Sequence, residues 1–122
     1  MKTFRDLQVW QKGMDMSVSV YEVTSNFPKK EEYGLISQLR RCAVSIPSNI
    51  AEGFGRNHTK DFIRFLRISQ GSVYECQTQL EISFRVGFMQ ESVFKDMDKQ
   101  YETIAKMLSS FIRKLSNSEN NH

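Results

Sequence analysis

Apolar residues recur at intervals of three and four residues along the last third of the chain, from about residue 91 to residue 116. An α-helix has about 3.6 residues per turn, so this spacing places the apolar side chains on one helical face. A stripe this long is typical of helices that pack lengthwise on their neighbours. Its members are Phe94, Met97, Tyr101, Ile104, Leu108, Phe111 and Leu115. From Ser116 onward the sequence has nothing to bury, and we expect a fraying tail.

Segment 5–26 carries two apolar stripes on roughly opposite sides of a predicted helix. The first, which we take as the core stripe, consists of Leu7, Trp10, Met14, Val18 and Tyr21. The second consists of Val9, Met16, Val20 and Val23. A helix that is apolar on two sides is usually buried on two sides. We therefore predict that the second stripe is the interface of a homo-oligomer.

A third periodic stretch, 35–53, predicts the second helix. Its apolar face consists of Leu35, Leu39, Cys42, Ala43, Ile46 and Ile50. Pro47 lies inside this pattern, lacks an N–H and crowds the carbonyl four residues earlier. We expect a kink near residues 43–47, or two short helices. Asn49 and Glu52 are the residues expected to cap the backbone groups that Pro47 frees.

The fourth stretch, 59–86, predicts a helix that Thr59 caps and whose first turn contains Asp61. Its core face consists of Phe62, Phe65, Leu66, Ser69, Val73, Cys76, Leu80 and Phe84. Gly71 in mid-helix costs about 1 kcal/mol relative to alanine. We expect close packing against a neighbouring helix to compensate for this glycine.

Four amphipathic segments with short connections predict an all-α fold, an antiparallel up-and-down four-helix bundle with its second helix kinked at Pro47. Residues 1–122 form a single domain, with an ordered core of about 4–116 and a flexible tail of 117–122. The apolar content of 39% is sufficient for a core. No apolar run approaches the roughly 20 residues that a membrane helix needs. The N-terminus leads into a polar segment, so we expect a soluble, cytoplasmic protein without a membrane partner.

Catalytic and metal-binding patterns are absent from the sequence. Cys42 and Cys76 lack metal-ligand spacing and are expected to be small buried hydrophobes in a reducing compartment. His58 lies in a polar turn and His122 is the terminal residue. A nucleophilic pairing of either cysteine with His58 has no supporting motif. We predict a non-enzyme with no cofactor and no metal.

Positive charge is concentrated in the middle of the chain. The sequence has 17 basic and 14 acidic residues, and segment 35–88 holds seven of the basic and four of the acidic ones. Five basic residues at the outside or apolar edge of helices two and three are candidates for binding nucleic-acid phosphates: Arg40, Arg41, Lys60, Arg64 and Arg67. The alternative is a solvated surface with internal ion pairs, for example to Glu52, Asp61 or Glu75.

Three segments in fixed order resemble the four-helix-bundle proteins called 23S rRNA-intervening-sequence proteins, also labelled S23 ribosomal proteins. They are FRDLQVWQK at 4–12, LRRCAVSIPSNIAEG at 39–53 and FIRFLRISQGSVYE at 62–75. The resemblance covers roughly residues 4–115. Two departures are Cys42, where alanine is usual, and Ser69-Gln70, where an alanine-bearing pair is common.

The resemblance implies a bacterial protein that assembles as a ring-like homopentamer. Relatives are encoded in insertions within large-subunit ribosomal RNA genes, and similar proteins are nucleic-acid-binding partners of reverse transcriptases. Our hypothesis is therefore a non-enzymatic oligomer that binds rRNA or another nucleic acid through helices two and three. The alternative is a protein-interaction scaffold or accessory subunit with no direct nucleic-acid role. It is based on the two-sided first helix and on apolar residues outside the core stripe of helix three: Ile63, Ile68, Tyr74 and Ile82.

Overall fold

Four α-helices carry the fold in the computed structural model, which describes residues 2–120. In chain order they are α1 (Gln8–Thr24), α2 (Leu35–Phe54), α3 (Thr59–Arg85) and α4 (Glu91–Asn120). A short 3-10 helix precedes α1 and another precedes α2. The described residues contain no strand. The predicted all-α four-helix fold is confirmed.

Each helix packs on the next helix in the chain, and α1 also packs on α4. The register of α2 and α3 shows that they are antiparallel, because residues further along α2 meet residues earlier in α3. Thus Cys42 lies beside Cys76, whereas Ile46 lies beside Ser69. The connections at 55–58 and 86–90 are short, as expected for antiparallel neighbours in a bundle.

The core faces predicted for α2, α3 and α4 are confirmed. The fully buried side chains on these faces include Leu39, Ile46, Ile50, Leu66, Val73, Leu80, Tyr101, Ile104 and Leu108. Burial of this kind of apolar area is the main stabilising contribution to a fold of this size. The exposed faces of α2 and α3 carry Arg41, Lys60, Arg64 and Arg67, and Arg40 is partly buried on α2.

The assignment of the two α1 stripes was wrong, because the second stripe is the core stripe. Val9, Met16 and Val20 are buried within the single chain, and Val23 is half-buried against the same core. The three buried side chains have no surface to offer a second subunit, and Val23 packs on the core of its own chain. They are therefore not the predicted oligomer interface.

The exposed apolar face of α1 comes from the stripe that we took as core. Met14 is 40% exposed, Val18 55% and Tyr21 47%. The helix is rotated so that its small residues, Gly13 and Ser17, meet α2. Small residues let two helices approach closely, and periodicity cannot detect this preference when both faces are apolar.

Helix α2 continues through Pro47, so the alternative of two short helices was wrong, and the kink is not confirmed. The carbonyl of Ala43 is the one that Pro47 deprives of its helical donor. The hydroxyl of Ser17 on α1 lies 3.2 Å from that carbonyl oxygen and donates to it. The same hydroxyl is 2.9 Å from the Gly13 carbonyl, so its single hydrogen is shared.

Asn49 and Glu52 do not cap the carbonyl that Pro47 frees, contrary to the expectation from the sequence. The amide of Asn49 donates to the Ser45 carbonyl at 2.8 Å, which is not the carbonyl that proline frees. Glu52 is exposed and pairs with Arg56 at 3.5 Å. The missing helical donor is thus replaced across the helix interface, from α1, and not from within α2.

The glycine that the α2–α3 contact requires is Gly53, not Gly71 as predicted. A Cβ atom on Gly53 would lie 2.7 Å from Cβ of Phe65 and 2.9 Å from Cδ1 of Phe62. Gly71 is exposed, and a Cβ atom there would have nothing within 4 Å. The glycine that packing requires therefore lies at the end of α2, where the chain turns toward α3.

The two ends of α3 differ in part from what the sequence predicts. His58, not Thr59, occupies the N-cap position of α3 and makes no side-chain capping bond, while Asp61 lies in the first turn as expected. Gly87 ends α3 with φ of 85°, and the amide of Phe88 donates to the Ser83 carbonyl at 2.9 Å. Such a left-handed residue after a helix favours glycine.

Helix α4 extends to Asn120, beyond the end that its apolar stripe predicts. Residues 117–119 are exposed and bury nothing, as their composition indicates. The flexible tail stays a prediction, and residues 121–122 lie outside the described residues. None of the helices between residues 2 and 120 combines the length and the hydropathy that crossing a membrane requires.

Candidate nucleic-acid interface

The five candidate phosphate-binding residues occupy two places on the α2–α3 pair. Arg40 and Arg41 lie in the first half of α2, whereas Lys60, Arg64 and Arg67 lie in the first third of α3. Because the helices are antiparallel, these places are at different levels along the bundle. With a rise of about 1.5 Å per residue, roughly 10 Å of helix separates Arg41 from the level of Arg67. The structure does not bring all five into one compact patch.

The three cations at the start of α3, which we call the α3 group, are Lys60, Arg64 and Arg67. They lie beside the turn between α2 and α3, and Arg56 of that turn lies next to them. The guanidinium carbons of Arg56 and Arg64 lie 5.0 Å and 4.5 Å from the centre of the same Phe65 ring. Arg64 is also 3.9 Å from Asp61. Exposed ion pairs of this kind contribute about 0–1 kcal/mol, so Asp61 does not prevent Arg64 from binding a phosphate.

Lys60 and Arg67 complete this group from the outer face of α3. Both are exposed, and neither pairs with an acidic side chain of the described residues. The predicted alternative of internal ion pairs therefore holds in part. It applies to Arg64 with Asp61 and to Arg56 with Glu52, but not to these two cations.

Arg40 has a structural role that the sequence did not reveal. Its Nε atom donates to the hydroxyl of Thr24 at 2.9 Å, and Nη2 donates to the Tyr21 carbonyl at 3.4 Å. Its guanidinium carbon also lies 4.5 Å from the centre of the Tyr21 ring. Arg40 thus ties α2 to the end of α1, while its remaining N–H groups stay available to a ligand.

Arg40 and Arg41 border an open groove of about 430 Å³ between α1 and the start of α2. The groove is lined by Tyr21, Glu32, Tyr33, Ile36, Ser37, Arg40, Arg41 and Val44. Tyr33 is 93% exposed at its edge. An open surface that combines arginine and tyrosine fits contact with an extended polymer better than enclosure of a small molecule.

The described residues hold no group of three or more side chains that could bind a metal ion. Cys76 lies about 27 Å along α3 from His58, so the two cannot act together as nucleophile and base. Cys42 and Cys76, in contrast, are in direct contact. Their sulfur atoms are 2.9 Å apart in the core, an arrangement that no sequence spacing could reveal.

The hydroxyl of Tyr101 on α4 is buried and borders this thiol pair. Burial, followed by the neighbouring Cys76, raises the pKa of Tyr101 above its ordinary value. The hydrogen bond with Cys42, followed by burial, raises the pKa of the Cys76 thiol. Both groups are therefore neutral at physiological pH.

Comparison with known proteins supports the resemblance noted in the sequence. Residues 5–110 match the family model of the 23S rRNA-intervening sequence protein. The fold is similar to the crystal structure of a protein of unknown function from the S23 ribosomal protein family of Bacteroides thetaiotaomicron VPI-5482, with a TM-score of 0.77 and 25% identity. That match covers 85% of this chain and 97% of the other. No curated protein matches the sequence.

Proposed function

Because the chain belongs to the family of 23S rRNA-intervening sequence proteins, we propose that it is a non-enzymatic, cytoplasmic protein that binds RNA or another nucleic acid. Contact is made with phosphates by Arg40, Arg41, Lys60, Arg64 and Arg67. The observation that carries the proposal is the exposed α3 group, in which Lys60 and Arg67 have no acidic partner among the described residues.

The spacing of the two cationic places favours a polymer as ligand. Successive phosphates along a nucleic-acid strand can meet both places at once, whereas a single small anion can meet only one. Phosphate contacts position a protein on nucleic acid without reading its sequence. Binding of this kind releases counterions, and its affinity falls steeply as salt concentration rises.

A matched pair of triple variants tests this proposal. Lys60, Arg64 and Arg67 are replaced by alanine in one variant, and three exposed lysines of α4 are replaced in the control: Lys95, Lys99 and Lys106. Both variants lose the same net charge. Binding to a structured RNA is measured by fluorescence anisotropy across a salt series.

The α3 variant is expected to bind more weakly, with a salt dependence reduced by about two to three phosphate contacts. The α4 variant is expected to retain most of the affinity. Equal losses in both variants would show that only net charge matters. Absence of binding by the wild-type protein at low salt would refute the proposal.

A second candidate function, a protein-interaction scaffold, is favoured by the apolar face of α1. Met14, Val18 and Tyr21 are exposed there, and Val44 of α2 lines the groove beside Tyr21. The occupant proposed for this face is another copy of the chain, for which the resemblance implies a pentamer, or else a reverse transcriptase.

Light scattering at micromolar concentration tests the self-association. The wild-type chain is expected to have the mass of an oligomer, and Val18→Ser with Tyr21→Ser is expected to shift it toward the monomer. A matched change at exposed apolar residues elsewhere, Val86→Ser with Val93→Ser, should leave the mass unchanged. A monomeric wild-type protein would rule out self-association.

A further inference from the structure

We propose that Cys42 and Cys76 are a reversible thiol–disulfide pair, which a peroxide oxidises to a covalent link between α2 and α3. The two sulfur atoms are 2.9 Å apart on the facing sides of these helices. A disulfide bond is about 2.05 Å long, so bond formation requires the sulfurs to approach by about 0.9 Å. The redox chemistry of this pair does not require nucleic-acid binding.

Hydrogen bonds beside the pair hold α2 and α3 together across the same interface. One helical turn along α2, the hydroxyls of Ser45 and Ser72 are 2.9 Å apart. At the next level, the hydroxyl of Ser69 donates to the Ile46 carbonyl at 2.8 Å. These contacts run across the same α2–α3 interface and keep the two backbones close, as a disulfide between helices requires.

The pair lies one layer of side chains below the surface. Cys42 Sγ is 3.8 Å from Oε1 of Gln79, and the Gln79 amide donates to Oε1 of Gln38 at 3.5 Å. Gln38 is exposed and Gln79 is half-buried, so these two flexible polar side chains form the cover over the thiols. Their rotation gives a small oxidant a path to Cys42 without unfolding of the helices.

The local environment makes the pair unreactive until that cover opens. The thiolate is the reactive form of cysteine, and the hydrogen bond with Cys42 and burial both disfavour it at Cys76. The thiols are therefore expected to stay reduced at low oxidant concentration. When the cover opens, water and the oxidant reach the sulfur of Cys42.

The oxidation balances with a peroxide as the two-electron acceptor. The Cys42 thiolate attacks one peroxide oxygen, the O–O bond breaks, and a sulfenic acid and hydroxide result. The Cys76 sulfur then attacks the sulfenic sulfur of Cys42, the S–S bond forms, and the S–O bond breaks to release water. Two thiols together lose two protons and two electrons, which convert hydrogen peroxide into two water molecules.

The disulfide would close the segment between Cys42 and Cys76, which are 34 residues apart in the chain. A cross-link of this length restricts the unfolded chain and stabilises the native one. It would also fix α2 relative to α3, the two helices that carry all five candidate cations. The expected consequence of oxidation is a tighter α2–α3 pair.

The test treats the full-length native protein with hydrogen peroxide and then alkylates it under denaturing conditions. The expected product has lost two hydrogens in mass, has no alkylatable thiol, and gives one cross-linked peptide containing Cys42 and Cys76. Dithiothreitol should restore both thiols. The urea midpoint of the oxidised protein should be higher than that of the reduced protein.

Three variants make the test specific. Cys42→Ala, a small replacement for a thiol in the core, and Cys76→Ala should each gain no stability on oxidation. Gln79→Ala should be oxidised several-fold faster than wild type, because it uncovers Cys42. Thiols that remain alkylatable after native oxidation, or that convert only to sulfinic and sulfonic acids, would overturn the proposal. Disulfides formed only between chains would do the same.

Discussion

Along its middle, helix α3 presents small side chains toward α2, whereas near its two ends it packs aromatic rings against α4. On the α2 side, Ser69 and Ser72 make hydroxyl hydrogen bonds across the interface, and Cys76 touches Cys42. On the α4 side, the Phe62 ring packs edge-on against Phe111, and the Phe84 ring is stacked on Phe94, with both pairs of centroids 5.3 Å apart.

The difference shows two ways in which one helix is held by its neighbours. Small side chains allow close backbone approach, so added volume has no place to go. Large rings bury more area at a greater separation, so the loss of a ring leaves a cavity. The two interfaces should therefore respond in opposite ways to residues that are made larger or smaller.

The largest effect is expected from removing an aromatic ring on the α4 side. Phe111→Ala should lower the free energy of unfolding by about 3 kcal/mol, because it removes the edge-on contact with Phe62 and leaves a cavity. Urea unfolding monitored by circular dichroism measures this change. Phe111→Leu, which refills much of the volume, should cost clearly less, and equal costs would argue against a packing role for the ring.

On the α2 side, a single added methyl group should be harmful. Gly53→Ala is expected to lower the free energy of unfolding by about 1–3 kcal/mol, because its Cβ would be 2.7 Å from Cβ of Phe65. The matched control is Gly71→Ala, where the new Cβ has open space. That change should raise stability by up to about 1 kcal/mol through helix propensity. Changes of the same sign would contradict the contrast between these glycines.

The hydrogen bond from Ser17 of α1 to the Ala43 carbonyl of α2 should contribute more to stability when Pro47 is present. Ser17→Ala is expected to cost about 1–2 kcal/mol, because it leaves the Ala43 carbonyl without a donor. In a Pro47→Ala background, residue 47 regains an N–H for that carbonyl, and Ser17→Ala should cost less. The double-mutant cycle measures the coupling. An unchanged cost in both backgrounds would show that Ser17 does not compensate for Pro47.

The smallest expected effect is a loss of stability at alkaline pH that is caused by the buried Cys76 thiol. The hydrogen bond with Cys42, and then burial, raises the pKa of Cys76, so the native state keeps a proton that the unfolded chain releases above about pH 9. Stability present at neutral pH is therefore lost as pH rises, by at most about 1.4 kcal/mol per pH unit for this one group.

Urea unfolding between neutral pH and about pH 10.5, with a reducing agent present, measures this loss. Cys76→Ala should show a shallower decline than the wild-type chain, because the variant lacks the retained proton. Parallel declines would mean that the thiol does not contribute. The deprotonation of lysines is common to both proteins and cancels in the comparison.

Periodicity predicted the core faces of α2, α3 and α4 because each of these helices has one clear apolar stripe. It failed on α1, whose two stripes have similar apolar character. There the choice depended on Gly13 and Ser17 fitting against α2 near Pro47. The position of the close-packed glycine could not be predicted either, because it depends on where α2 turns beside Phe65.

The candidate interface was predictable in composition but not in arrangement. Helical position correctly placed Arg41, Lys60, Arg64 and Arg67 outside the core. Their division between two levels follows from the register of α2 on α3, and the bonds that tie Arg40 to α1 depend on where α1 ends. Neither quantity is contained in the pattern of a single helix.

The pattern of polar and apolar residues was sufficient for four helices and for three of the four core faces, because helix amphipathicity is a local property of the chain. Three ordered sequence segments were sufficient for the family. Tertiary structure decided which side of α1 is buried, which glycine is essential to packing, and that Cys42 meets Cys76. Each of these depends on distances between residues far apart in sequence. Such distances are set by how the helices pack, and small residues control that packing more closely than periodicity records.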